Sequence, residues 1–474
     1  MGSMSDLVRL RAVDHAAMLR RREISASELL DAHLLQIERV NPQLNAIVTL
    51  VPDIAREMAE EADRTLASGG DIPLLTGLPV VHKDTHETAG IRTTFGSPVY
   101  RSYVPTRNAL IVERQQRAGA VTLGKTNTPQ HGAGSQTFNE VFGATRNPWN
   151  PEYTPGGSSG GAAVAIATGM AALADGSDYG ASLRNPASFT NTVGFRPSPG
   201  RIPSWPSKDV WADHSVHGPI ARTVEDIALF MAATAGPDPR IPISIDQPGS
   251  VFATPLAGDW TGVPVAWSED LGELAIDPVV TQALSPARET LSDIGFVLTD
   301  DAPSFRDADE AFTVLRGFVY AREFAEALRR DPDAYKAAIH ENTEYGLSLT
   351  TEQVGAAIET RTRVRNRVVK FLDEHRFLAL PTAAVPPFPV SVEYPTEIAG
   401  QPMANYTSWF ASCYLISLTG LPAISVPGGF TPDGLPVGLQ IVGRPKADVD
   451  VLRAAYAFQE ATMLWLRHPP VPDP

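Results

Sequence analysis

The segment "TPGGSSGGAAVA", residues 154–165, decides the fold. Ser158 and Ser159 stand between the glycine pairs Gly156-Gly157 and Gly160-Gly161, and an alanine-rich apolar run follows at once. A flexible surface linker has no reason to turn directly into a buried element. Glycine permits tight turns and lets another piece of backbone approach closely. The pattern therefore predicts a turn that presents serine hydroxyls at the start of a buried helix over 162–174, "AAVAIATGMAALA".

That run leads into "ADGSDYGASLRNPASF" (174–189), a second serine-bearing turn with Gly180 and Ala181 before Ser182. Small residues expose consecutive backbone N–H groups, and such groups can stabilise an oxyanion. Two serine turns separated by one helix can share a site. Lysine is scarce in this chain, and Lys83 is unusual in ending the apolar stretch "GLPVVH". A lysine at the buried end of a strand is desolvated, which disfavours its charged form. A neutral amine can then serve as a general base. The same lysine could instead pair with Asp84 or Glu87.

Working outward, "SASELLDAHLLQIERVNP" predicts a helix that starts with a capping box, Ser25 with Glu28, and ends before Pro42. Short strands are expected in 75–85 and 119–127. A helix capped by Thr223, with Asp226 three residues on, is expected over 223–236. "VPVAWSED" predicts a strand, and "TQALSPARETLSDIG" and 305–376 predict helices, the latter charged and amphipathic. "FLALPTAAVPPFPV", "LPAISVPGGF" and "VGLQIVG" predict late strands that rejoin the first sheet. Strand and helix alternate, so the class is α/β. The expected organisation is a single domain, 1–474. Its core is 5–236 and 377–465, and residues 237–376 form a variable, mostly helical insertion.

The 474 residues carry a formal net charge of -15 with no basic block. That argues against a nucleic-acid backbone or an anionic membrane as partner. The single cysteine, Cys413, lies among apolar neighbours and reads as a small buried residue. No Cys/His cluster points to a metal. "MGSM" reads as a tag remnant, no signal peptide follows, and the expected location is the cytoplasm. His82 and His86 flank Lys83 without a metal-ligand partner, so surface or supporting roles are expected. Trp205, Trp211, Tyr406, Trp409 and Phe410 could shape an aromatic pocket or pack in the core.

"GLPVVHKDT", "GKTNTPQHGAGS", "NPWNPEYTPGGSSGGAAVAIATG", "GSDYGASLRNPASFTNTVGFRPSPG" and "GLPAISVPGGFTPDGLPVGLQIVG" resemble the amidase signature family. The resemblance runs over about 25–236 and 377–460. It implies a large mixed β-sheet covered by helices on both faces and a Ser–cisSer–Lys triad. Carried over, the triad is Lys83, Ser158 (preceded by a cis peptide bond) and Ser182 as nucleophile. The backbone N–H groups of Tyr179, Gly180, Ala181 and Ser182 would form the oxyanion hole, and Ser159, Asp178 and Arg184 would support it. Gly132, Ala133, Gly134 and Ser135, next to His131, match a stretch that lines the acyl pocket. The resemblance implies hydrolysis of a C–N acyl bond in a small-molecule amide or carbamate, with side activity on esters, and neither metal nor organic cofactor. Stand-alone amidases, aryl acylamidases and urethane-cleaving members head the comparison; no oligomeric state is assigned. Two departures stand out: Ala181 where glycine is common, and Tyr179 where a smaller residue is common.

Two other readings fit parts of the pattern. One component of a tRNA-dependent amidotransferase would belong to the same family. Gly157-Ser158-Ser159-Gly160-Gly161 also fits the nucleophile elbow of an α/β-hydrolase esterase, with Ser159 as nucleophile and His214, His217 or His340 as base. That elbow requires a strand leading into Ser159.

Overall fold

The computed structural model describes residues 4–470; residues 1–3 of the expected tag remnant lie outside this range. Eleven strands form one mixed sheet. In chain order they are β1 (Ile47–Leu50), β2 (Pro79–Lys83), β3 (Val121–Thr126), β4 (Leu173–Asp178), β5 (Val193–Arg196) and β6 (Val216–Ala221), followed by β7 (Pro264–Trp267), β8 (Val297–Asp300), β9 (Phe377–Pro381), β10 (Ala423–Phe430) and β11 (Pro436–Gly443). Their spatial order is β1-β3-β2-β4-β6-β5-β10-β11-β9-β7-β8. β2 runs parallel to both β3 and β4, whereas the central run from β4 to β9 is antiparallel. The late strands thus do join the first sheet. The segment 237–376 supplies the edge pair β7 and β8 as well as helices.

The alternation of side chains shows that the sheet separates two cores. In β9, Phe377 and Ala379 enter one apolar cluster, and Leu378 and Leu380 enter the other. In β11, Leu439 and Ile441 face the first and Val442 the second. The second core carries the helices Ala308–Arg330, Thr351–Glu374 and Ala411–Thr419 through Phe312, Val364, Val368 and Ile416. A strand covered on both faces is buried at every position, as β2, β9 and β11 are, and β9 accordingly reads as a continuous hydrophobic run.

Local signals set several boundaries. Ser25 and Glu28 form the reciprocal capping box that opens helix Ala26–Leu44. Thr223 caps Val224–Thr234, while the Asp226 carboxylate accepts the Val13 N–H at 3.0 Å instead of closing a box. Two expectations need correction. The helix Ala26–Leu44 continues through Pro42 and is capped by Asn45, whose φ is 51°. The proline falls in the last turn, and the Asn41 side chain accepts the N–H groups of Ala46 and Ile47 just beyond it. The apolar run 162–174 is not one helix: Gly160–Ala167 is helical, Gly169 turns the chain at φ 73°, and β4 begins at Leu173. A uniformly apolar stretch carries no period by which helix and buried strand can be told apart.

Candidate active site

Lys83, Ser158, Ser182 and the turn after β4 meet at the C-terminal ends of β2 and β4. Lys83 closes β2 and is fully buried. Its Nζ donates to Ser158 Oγ at 2.7 Å and to Ser177 Oγ at 3.1 Å. Burial lowers the lysine pKa to about 7, against the opposing pull of Asp178 and Asp175. The alternative pairing with Asp84 or Glu87 is not made. Asp84 is held by Thr94, and Glu87 accepts from Tyr103 and Arg107.

The quoted turn owes its glycines to crowding. A Cβ on Gly157 would lie 2.9 Å from the Gln136 carbonyl carbon, and one on Gly161 would lie 2.5 Å from the Asn127 nitrogen. The turn is thus pressed between the 127 and 136–137 backbones, and Ser135 Oγ donates to Gly157 O at 3.0 Å. The Gly157–Ser158 peptide bond is cis. Ser159 N donates to Ser182 O at 3.2 Å, which ties the two serine turns directly together. The turns are separated along the chain by a helix and a strand rather than by a helix alone.

The turn at 179–182 is braced from below. Asp178 receives Arg184 at 3.0 and 3.1 Å, Arg196 at 3.0 Å and the Leu183 N–H at 3.1 Å. Burial would raise this carboxyl, but the two guanidinium groups outweigh it and hold it at about 2. Arg184 also donates to Gly180 O, Ser417 Oγ and Gln440 Oε1. Ser159 Oγ lies 3.4 Å from Ser177 O, and residues 154–159 are a loop rather than a strand, so the elbow's required geometry is absent at Ser159.

A cavity of about 750 Å³ opens over these residues. Ser158, Ser177 and Ser182 lie on its wall with Tyr179, Gly180 and Ala181. Gly132, Gly134 and Ser135 line it, but Ala133 does not. The Ala133 methyl packs with Tyr320 and Ile339, and its carbonyl accepts from Lys336 Nζ. Phe95, Tyr100, Phe324 and Tyr335 also line the cavity, grouped around His131 with ring centroids 5.2–5.9 Å from the imidazole. Burial lowers the His131 pKa to about 4, with Lys208 and Lys336 adding to the effect. Phe410 reaches the cavity. Trp409 is core, and Tyr406 Oη accepts the Ser135 N–H.

Sequence reading missed three contributors. Ser177 is the second acceptor for Lys83. Asp175 receives the Lys83 N–H at 2.8 Å and also binds His82, His86 and Gln115. Both histidines are therefore buried rather than on the surface. Arg316 reaches the cavity from helix Ala308–Arg330. The thiol of Cys413 is buried as expected, and burial pushes its pKa up to about 12.

The amidase sequence profile matches residues 28–452. The chain belongs to the amidase signature family. An acylamidase of Rhodococcus erythropolis is 34% identical over 461 residues, covering 96% of each chain. A glutamyl-tRNA(Gln) amidotransferase component from Dehalococcoides mccartyi (strain CBDB1) is 34% identical, covering 98% of this chain and all of that one. Among solved structures, a bacterial aryl acylamidase of the family superposes with a TM-score of 0.90 at 27% identity, covering 96% of this chain and 97% of that one. A 6-aminohexanoate cyclic dimer hydrolase gives 0.87 at 26% identity, covering 98% and 99%. The large mixed sheet with helices on both faces is thus the architecture of this amidase family. Among the described residues, no helix is long and apolar enough to cross a membrane, and no group of three or more His, Cys, Asp or Glu side chains could hold a metal ion.

Proposed function

We propose that this amidase-family enzyme hydrolyses the C–N acyl bond of hydrophobic or aryl amides and carbamates through Lys83, Ser158 and Ser182. The observation that carries the reading is the 2.7 Å hydrogen bond from a fully buried Lys83 Nζ to Ser158 Oγ on the wall of the cavity that also holds Ser182. In the proposed sequence, Ser182 Oγ attacks the carbonyl carbon and passes its proton to Ser158 Oγ, while the Ser158 proton moves to neutral Lys83. The N–H groups of Tyr179, Gly180, Ala181 and Ser182 receive the negative oxygen. Collapse breaks the C–N bond, and the proton returns through Ser158 to the leaving nitrogen. Water, activated by the same relay, then cleaves the acyl-enzyme ester and releases the acid.

The aromatic group around His131 supports an aryl substrate. Val319, Tyr320, Phe324 and Tyr335 support a role for residues 237–376 in selectivity, within the single-domain organisation expected from the sequence. The 34% identity to an amidotransferase component favours a second reading, in which the amide is cleaved to supply ammonia to a partner. The fold argues for the stand-alone reading: the TM-score is 0.90 to the aryl acylamidase and 0.77 to the corresponding amidotransferase component of Thermotoga maritima.

The test is a panel of anilides, primary amides, carbamates and p-nitrophenyl esters, with peptide mapping after fluorophosphonate treatment. Anilide or carbamate hydrolysis with the label on Ser182, lost in Ser182→Ala and slowed in Ser158→Ala, is expected. Label on Ser159, or cleavage of glutamine alone, would overturn the reading.

A further inference from the structure

Every charged side chain on the cavity wall but one has an opposite charge beside it. Glu87 pairs with Arg107 at 3.2 Å, and Glu326 with Arg330 at 2.7 Å. Glu323 pairs with Lys208 at 3.3 Å and with Arg322 at 3.1 Å; Arg322 also meets Asp209. Arg316 is the exception among the described residues. It is 7% exposed, yet no carboxylate lies within ion-pair distance of its guanidinium. Arg184 and Arg196, also buried, share Asp178.

Neutral groups hold Arg316 in place. Nε donates to Asn342 Oδ1 at 2.9 Å, Nη2 donates to Tyr320 Oη at 3.0 Å, and the cation lies 4.7 Å from the Tyr320 ring centroid. These contacts fix the guanidinium plane and leave its charge uncompensated. A buried cation without a counter-ion is costly, and such a site favours an anion strongly. A second, independent observation points the same way. Tyr179, on the same wall at the head of the 179–182 turn, has a buried hydroxyl with no hydrogen-bond partner among the described residues. The Tyr179 ring is set by stacking on His214 at 5.7 Å, so the hydroxyl position is fixed too. Tyr179 also packs on Phe312 at 5.9 Å between ring centroids, and Phe312 lies one helical turn before Arg316 in Ala308–Arg330.

We infer that Arg316 and Tyr179 form a carboxylate-binding subsite inside the aromatic cavity, so that the preferred substrates are hydrophobic amides bearing a free carboxylate. A planar guanidinium suits a carboxylate better than any other cation in the repertoire, and a phenol O–H adds one more donor. The aromatic side chains around His131 then take the apolar part of the same molecule. This inference rests on the amide-hydrolase reading for the word "substrate", but the subsite itself can be tested without any turnover.

The test uses a pair of ligands that no hydrolase can cleave: 4-phenylbutyrate and its neutral counterpart 4-phenyl-1-butanol, titrated calorimetrically against the full chain. The acid is expected to bind about tenfold or more tightly, the scale of a charge-assisted hydrogen bond. Arg316→Gln should erase that preference, Arg316→Lys should keep part of it, and Tyr179→Phe should reduce it. Equal binding of the two ligands by the parental protein overturns the inference whether or not any variant folds, and so does a preference that survives Arg316→Gln. Anilide hydrolysis measured alongside separates the two readings. Cleavage of neutral anilides with no preference for the acid defeats only the subsite, whereas a carboxylate preference without any amide cleavage defeats only the proposed function.

Discussion

The carboxylate of Asp175 accepts the backbone N–H of Lys83 at 2.8 Å, so the residue that holds β2 to β4 also places a negative charge beside the buried amine. His82 Nδ1 at 2.5 Å, His86 Nδ1 at 2.7 Å and Gln115 Nε2 at 2.8 Å complete its surroundings. Lys83 stands near pH 7 because burial lowers its pKa further than Asp178 and Asp175 raise it.

That balance sets the pH profile. If neutral Lys83 is the working form, activity rises with pH through about 7 and then levels off. Asp175→Asn removes one of the charges that raise the lysine pKa, so the rising limb should move to lower pH. Rate against pH from 5 to 9 for both proteins checks this. A folded Asp175→Asn protein with an unmoved limb would show that Asp175 only positions the strand.

Lys83→Ala should cost amides more than activated esters. An amine leaves poorly without a proton, whereas p-nitrophenolate leaves unaided. A single catalytic proton transfer is worth about 10²–10⁴-fold, and a loss of that order is expected on an anilide. The p-nitrophenyl ester of the same acid should suffer less. Near-parental anilide turnover in a folded Lys83→Ala protein would remove Lys83 from the mechanism.

Acid should unfold the protein by way of its buried histidines. Burial lowers His15 to about 4, His33 to about 3 and His131 to about 4. The unfolded chain takes up these protons near pH 6.5 and the folded one refuses them, so stability falls as pH drops from about 6.5 to 4. The limit is about 1.4 kcal/mol per pH unit for each group. Asp226 works the other way: burial raises it to about 7, so its stabilisation is present at low pH and is lost as pH rises toward 7. Asp226→Asn should therefore steepen the acid loss. Urea unfolding from pH 4 to 7.5 measures both, and a flat profile for the parental protein would contradict the histidine assignment.

Gly161→Ala should destabilise the fold although the change adds only a methyl. The new carbon would meet the Asn127 nitrogen at 2.5 Å and Ala46 O at 2.7 Å, both backbone atoms that cannot swing aside. Overpacking of this kind costs about 1–3 kcal/mol, and urea unfolding should show it. Gly355→Ala, with open space around its Cβ position, serves as the control.

Signals carried by neighbouring residues are legible in the sequence. The Ser25–Glu28 box, the Thr223 cap, the buried end of β2 and the two serine turns each depend on a few adjacent residues. The features that sequence reading misses depend on distant ones. Asp175 gains its meaning from His82 and Gln115, 93 and 60 residues away. Arg316 sits in a helix rich in charge, where one more arginine looks solvated until the fold buries it. The break at Gly169 is hidden because alanine, valine and isoleucine run up to it without a period. Ala133 reads like its neighbours because the match to the family spans the whole loop. Only packing against Tyr320 and Ile339 reveals that its side chain turns away.

The order of strands has a consequence for synthesis on the ribosome. β5 pairs with β10, and Arg184, which braces the turn at 179–182, donates to Gln440 at 2.6 Å across a separation of 256 residues. At roughly 5–20 residues per second, that partner emerges some tens of seconds after the arginine. Throughout that interval the nascent N-terminal half carries an open sheet edge at β5 and a buried-type arginine whose Gln440 acceptor has yet to be made. The serine turns therefore reach their final bracing only when nearly the whole chain has been translated, and a premature stop ahead of β11 leaves Arg184 without Gln440.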